Sequence, residues 1–321
     1  MKQLFIAAIL AALAGSCLAA DSYPSKPIRL IMPQSAGSSN DTVGRLAAAK
    51  MSQALGQQVV VDNRAGAGGI IGAEIAARAA PDGYTLLSGS APTQAVATIM
   101  YKKLPYDPIK DFAPISLMGI SNLVFCVTPS LPARDVKEFI ALAKSKPGAL
   151  NMASAGVGSA SHLAGLMFAA LADIKSVHVP YKGGGESPTA VSSGEAHWTI
   201  SPAGALMTHI RAGRLRALAI GGGKRAASLP DLPTIAEAGL PGYAFFSWSG
   251  LFAPAGTPQA IIGKLHRVTS EALAAPELRE QVMRQGVEPD ASPSPEAFGR
   301  FVAEEQQRMR KLAPLAGITP Q

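Results

Sequence analysis

Two stretches far apart in the chain, Met32-Pro-Gln-Ser-Ala-Gly-Ser-Ser-Asn-Asp41 and Ser154-Ala-Gly-Val-Gly-Ser-Ala-Ser-His162, place small polar residues and glycines between a strand-like run and a helix-like one. A strand that turns through small residues into a helix directs unpaired backbone N–H groups at one point, with the positive end of the helix dipole behind them. The chemistry on offer is recognition of an anion. Two such nests facing each other would hold a small carboxylate between two lobes.

Other chemistries lack their residues. A hydrolase elbow of the form G-x-S-x-G is absent, and Gly263-Lys264 is followed by Leu265, so no phosphate loop ends there. The five histidines, His162, His178, His197, His209 and His266, show none of the short spacings of a helical metal site. Gly221-Gly-Gly-Lys-Arg-Ala226 follows a strand-like run but opens no helix, which argues against a dinucleotide. Gly66-Ala-Gly-Gly69 reads as a tight strand-to-helix turn. No catalytic group, metal or cofactor is expected.

The elements that would position the two loops are legible in outline. Ile28–Met32 and Gln58–Asp62 are short apolar runs, and the segment between them, Asp41 to Gly56, carries apolar residues at helical spacing and stops at a glycine. This is a βαβ unit, and such units build parallel sheets covered by helices. A helix from Gly68 to Ala79, a turn at Pro81-Asp-Gly83 and a strand Tyr84–Ser88 continue the pattern. A second series starts at Leu123–Thr128, with Asp135 as N-cap of a helix Val136–Ser145. It continues through Leu150–Ala153, a helix Ser161–Leu171, Val177–Val179, a helix Ser187–Ser193, Trp198–Ile200 and Leu215–Ile220. Helices over Pro258–Leu273, Pro276–Gln285 and Pro295–Leu312 then return to cover the first sheet. The chain would cross between lobes near 119–122 and near 243–250, and two crossings make a hinge.

The N-terminus has the layout of a secretory signal: Lys2, then an apolar run from Leu4 to Ala14, too short to span a bilayer, then small residues. Cleavage after Ala20 is expected, making 1–20 the signal peptide and the periplasm the destination. Ala14-Gly-Ser-Cys17 resembles a degraded lipoprotein box, so acylation at Cys17 is the alternative. Without Cys17 only Cys126 remains, and no internal disulfide can form. Lys and Arg number 29 against 22 acidic residues, but they are scattered and aromatics are few. A nucleic-acid partner is therefore not expected.

Over essentially all of the mature chain, the residues resemble the substrate-binding proteins of the tripartite tricarboxylate transporter system, the TctC or Bug family. The markers are Asn63–Gly69, Pro81–Leu87, Ser154–Gly165, Val179-Pro-Tyr-Lys-Gly-Gly184, Ala212–Leu218, Pro233–Gly239 and Ala253–Pro258, in that order. The resemblance implies an α/β periplasmic binding fold of two lobes, type II-like, closing like a flytrap over an organic anion. Residues 21–121 with 245–321 would form one lobe and 122–244 the other. The function implied is capture of a small organic carboxylate by a monomer and its delivery to membrane permease subunits, without catalysis. The ligand classes implied are di- and tricarboxylates and aromatic carboxylates. A sensing subunit that docks on a membrane signalling partner is the alternative, with a periplasmic enzyme behind it.

The resemblance also implies the ligand contacts. They are Gln34, Ser35, Ala36, Gly37, Ser38, Ser39 and Asp41 in the first loop and Ala155, Gly156, Gly158, Ser159, Ser161 and His162 in the second. Ser88, Ser90, a closing Tyr181 and Ser201 would complete the pocket. The chain departs from the family pattern in Gln34, in Gly37-Ser38, and in Ile200-Ser201-Pro202, where many members carry an aspartate. The missing acid argues against an amino-acid ligand. Asp41 and Arg45, four apart on one helix, could pair with each other or serve the ligand.

Overall fold

The computed structural model describes residues 23–183, 185–284, 286–315 and 318. The expected signal peptide, the Cys17 box, Gly184 of one marker and Gln285 at a predicted helix end lie outside them. Among the described residues no helix is long and apolar enough to cross a membrane.

Local sequence fixes the first βαβ unit. The buried strand β1 (Ile28–Met32) pairs in parallel with β2 (Val59–Asn63) on one side and β3 (Thr85–Ser90) on the other. Between β1 and β2 runs helix α1 (Ser39–Leu55), which Ser38 caps by accepting the Asp41 N–H and which Gly56 ends in the left-handed conformation. Its inner face, Val43, Gly44, Ala47, Ala48 and Met51, packs on Ile28, Leu30 and Met32. After a single 3-10 turn at Ala67–Gly69 comes α2 (Ile70–Ala77). A π-helical turn (Pro92–Val96) and the short α3 (Ala97–Met100) follow β3.

The long strand β4 (Phe112–Ser121) leads through Asn122 directly into β5 (Leu123–Val127), the first strand of a second sheet. There follow α4 (Val136–Ser145), β6 (Asn151–Ser154), α5 (Ala160–Ala172), β7 (Val177–Pro180), α6 (Glu186–Ser193), β8 (Trp198–Pro202), α7 (Ala203–Arg211) and β9 (Arg216–Ile220). The chain returns to the first sheet as β10 (Ser247–Pro254), then α8 (Gln259–Ala274), α9 (Pro276–Met283), β11 (Val287–Glu288) and α10 (Pro295–Leu315).

The sheet orders are β11-β4-β10-β3-β1-β2 and β7-β6-β8-β5-β9. Neither is wholly parallel, contrary to the sequence expectation. β10 runs antiparallel to both β3 and β4, and β5 antiparallel to both β8 and β9; each is the strand by which the chain enters its sheet from the other, β5 directly from β4 and β10 after the connection 221–246. Sequence patterning missed β4 and β10 since Pro114, Gly119 and Gly250 interrupt them. The β4–β10 ladder absorbs Pro114 beside a register shift, where a missing N–H costs least.

Phe125, Phe139, Phe168 and Trp198 meet edge-on in the second sheet's core, with centroids between 4.7 and 5.9 Å. Each ring contributes about 1.5–3 kcal/mol by burial. The cluster clamps α5 against β5 and β8, fixing where α5 begins. Cys126 is fully buried on β5, and burial pushes its thiol far up.

Candidate functional site

In open α/β sheets, ligands bind outside the carboxyl ends of parallel strands. Strand register shows where those ends lie. In the first sheet, Ser90 at the end of β3 pairs with Ser249, and Ser247 pairs with Ser121 at the end of β4. The carboxyl ends of β1 and β3 therefore sit at the margin where the chain crosses over. In the second sheet Leu123, at the start of β5, pairs with Pro202 at the end of β8, and β8 runs parallel to β6. The second loop thus also sits at the crossing margin. Both predicted loops flank the junction between the sheets.

The first loop is held from below by Asp41. Its buried carboxylate accepts from the Gly37 N–H (2.9 Å), Asn63 Nδ2 (2.8 Å) and Arg45 Nε (3.0 Å). Burial alone would raise this carboxyl, but the bonds from Arg45, Asn63 and Gly37 hold it below its ordinary value. Arg45 also donates to Asn63 Oδ1 at 2.6 Å, and Asn63 Nδ2 donates to the Gln34 carbonyl at 3.1 Å. Asp41 and Arg45 therefore form the ion pair, and the carboxylate anchors the loop. Gln34 is committed inward: its amide donates to Ser90 Oγ (2.8 Å) and accepts from Asn40 Nδ2 (2.5 Å). Ser88 donates to Asn40 Oδ1 at 3.1 Å. At the rim, Ser35, Ala36 and Gly37 are exposed, with Ser38 and Ser39 half-buried. The N–H groups of Ser35, Ala36, Ser39 and Asn40 meet no acceptor among the described residues.

The second loop is cross-braced by its own hydroxyls. Ala155 N–H donates to Ser161 Oγ (2.9 Å), Gly156 N–H to Ser154 Oγ (3.1 Å) and Gly158 N–H to His162 Nδ1 (3.2 Å). Ser159 caps α5, accepting from the His162 N–H at 3.3 Å and donating to the Gly156 carbonyl at 2.7 Å. Gly156 and Gly158 have φ of 111° and 77°, values that side-chain-bearing residues seldom adopt. Among the described residues the N–H groups of Val157, Ala160 and Ser161 meet no acceptor.

Tyr181, the expected closing residue, stands beside Glu195. Its hydroxyl donates to Glu195 at 2.9 Å and its ring lines a groove with Glu186, Thr189 and Ser193. Its carbonyl, rather than its ring, lies against Gly156. Ser201 lies near the end of β8 and is 2% exposed, and its hydroxyl sits 2.7 Å from Thr199 Oγ1. Residues not singled out from sequence include Asn40, Asn63, Ser154 and His178, which brace the loops. The available signal was small polar residues beside a glycine turn, Asn63 and Ser154 at strand ends and Asn40 in the first turn of α1; His178, inside β7, gave none. No group of three or more metal-binding side chains occurs among the described residues.

The model for the tripartite tricarboxylate transporter family receptor, TctC, matches residues 43–317. The chain belongs to the TctC family. BugT of Bordetella pertussis (strain Tohama I) is 38% identical to this TctC protein over 293 residues, 91% of this chain and 89% of BugT. Among solved structures, R. palustris Rpa4515 with adipate is 34% identical with a TM-score of 0.88, covering 93% of this chain and 100% of that one. MatC from Rhodopseudomonas palustris with bound malate is 33% identical with a TM-score of 0.83, covering 90% and 99%. Likeness to PhnD1 from Prochlorococcus marinus, at 12% identity and a TM-score of 0.55, shows the fold alone.

One consequence of the TctC loop geometry is a pH dependence of stability. Burial, with the neighbouring His178 ring, pushes His162 from 6.5 down to about 4. A ring neutral when folded but protonated when unfolded means the unfolded chain binds more protons between those values. Stability should therefore be full above pH 6.5 and decline as pH falls toward 4. Denaturant midpoints at pH 7, 6, 5 and 4 check this; a His162→Asn variant should lose less than the parent.

Proposed function

We propose that the protein captures a small organic carboxylate between the two loops and delivers it to the membrane subunits of a tripartite transporter, acting in the periplasm after removal of residues 1–20. The observation that carries this reading is the pair of helix-opening loops, each with unpartnered amides, at the crossing margin of two different sheets. Residues 21–121 with 245–321 would move against 122–244, about connections at Asn122 and near Phe246. The adipate and malate bound by relatives support a carboxylate as the guest. Capture requires no turnover.

Magnitudes require both loops. One helix N-terminus stabilises an anion by about 0.3–1 kcal/mol, rising to about 2 when partly buried. Micromolar affinity requires about 8 kcal/mol, so several charge-assisted hydrogen bonds must act together in a closed, water-poor cleft. Contacts from both lobes also give the ligand its preference for the closed form, and shifting 1:99 to 99:1 takes about 5.5 kcal/mol.

The test is a thermal-shift panel of adipate, malate, citrate, nicotinate and phthalate, with glutamate as the amino-acid comparison. A ligand at about 100 times its dissociation constant adds about 2.7 kcal/mol of stability. At least one simple carboxylate should raise the melting temperature. Shifts by glutamate alone would overturn the ligand class.

A further inference from the structure

His162 stands among the ligand contacts that the resemblance implies, but in the structure it is buried and its Nδ1 is taken by the loop's own backbone, with His178 beside it behind the second loop. The rings of His162 on α5 and His178 on β7 stack with centroids 4.1 Å apart and planes 23° apart. Each is linked to one glycine amide. His162 Nδ1 accepts the Gly158 N–H directly at 3.2 Å. His178 Nε2 lies 2.6 Å from Ser154 Oγ, and that same oxygen accepts the Gly156 N–H at 3.1 Å. Between the two tethered glycines stands Val157, 48% exposed, whose N–H meets no acceptor among the described residues.

We propose that His162 and His178 are positioning residues: a stacked pair of neutral imidazoles that tie down Gly158 and Gly156 and so present the Val157 amide to the anion. The proposal rests on the anion-binding reading of this loop given above. Its chemistry specifies tautomers. An Nδ1 that accepts from Gly158 must be unprotonated, which places the His162 proton on Nε2. Ser154 has one hydroxyl proton and two acceptors within reach, His178 Nε2 at 2.6 Å and the Gly156 carbonyl at 3.3 Å; the shorter contact assigns the proton to His178 Nε2 and leaves lone pairs for the Gly156 N–H. Burial disfavours charge on both rings, consistent with this assignment. Among the described residues no Asp, Glu, Lys or Arg bonds to either ring.

The two sites should tolerate different replacements. Asn places an amide oxygen where Nδ1 stood and Gln places one where Nε2 stood. His162→Asn should keep affinity for adipate or malate within about threefold, while His162→Gln weakens it about tenfold, the size of one lost hydrogen bond of this kind. At 178 the order reverses, with His178→Gln tolerated and His178→Asn weakened. A role in stacking alone would not produce that crossed pattern. Calorimetry at neutral pH reads the affinities, and equal losses from Asn and Gln at both positions would overturn the proposal. Nitrogen-15 imidazole shifts of the wild-type protein read the tautomers without any ligand. His162 carrying its proton on Nδ1 at neutral pH would overturn the clamp whatever the affinities. If the wild type takes up neither acid, that failure falls on the proposed function and the imidazole shifts still decide the clamp.

Discussion

Replacing Ser159 with Trp is expected to abolish carboxylate binding while the protein remains folded. Ser159 is half-buried at the start of α5, between the loop that offers Val157 and the first helical amides Ala160 and Ser161. An indole there occupies the space in front of those amides. It also removes the hydroxyl that caps the helix and bonds Gly156. Losing a cap costs about 1 kcal/mol of stability, a small part of the 5–15 kcal/mol typical of a domain. The affinity loss should be far larger, at least about a hundredfold, since every bond made by the second loop is blocked. Calorimetry with the acid giving the largest thermal shift, beside a denaturation curve, separates the two effects. Unchanged affinity would remove this loop from the site.

Asp41→Ala should produce the second large loss, from a residue that lies behind the ligand surface. The substitution removes the acceptor shared by Gly37, Asn63 and Arg45, and leaving the half-buried Asn63 amide unpaired costs about 1–3 kcal/mol. Arg45 and Gly37 are exposed enough to recover water, so their shares are small. Affinity should fall about tenfold or more as the first loop loses its register. Asp41→Asn should lie between, because its oxygen can still accept from Gly37 while its amide opposes Asn63. A stability loss with affinity unchanged would show that the first loop's shape does not govern recognition.

The sequence exposed the elements whose pattern is local. The helix Val136–Ser145 and its Asp135 cap stand where predicted, as do β1 and the turns that open α1 and α5. Strands β4 and β10 were hidden because Pro114, Gly119 and Gly250 are tolerated only through the pairing of one with the other, a contact some 130 residues apart in sequence. The mixed direction of the sheets was hidden for the same reason. In the site, small polar residues and glycines announced the two loops. The bracing was not legible: Asn40 reaches Ser88, and His178 reaches Ser154, only after strands distant in sequence are aligned. The bond from Tyr181 to Glu195 was hidden likewise, because the two meet only once the helix between them has folded.

Cys126 sits in the second sheet's core with a thiol that burial keeps protonated, and the thiolate is the form that reacts with maleimides. A chain expressed from Asp21 carries no other cysteine. Paired reporter dyes could therefore be attached at engineered thiols on the rims of the two loops without first removing the native one. A change in the distance between them on adding ligand would report the proposed closure in real time.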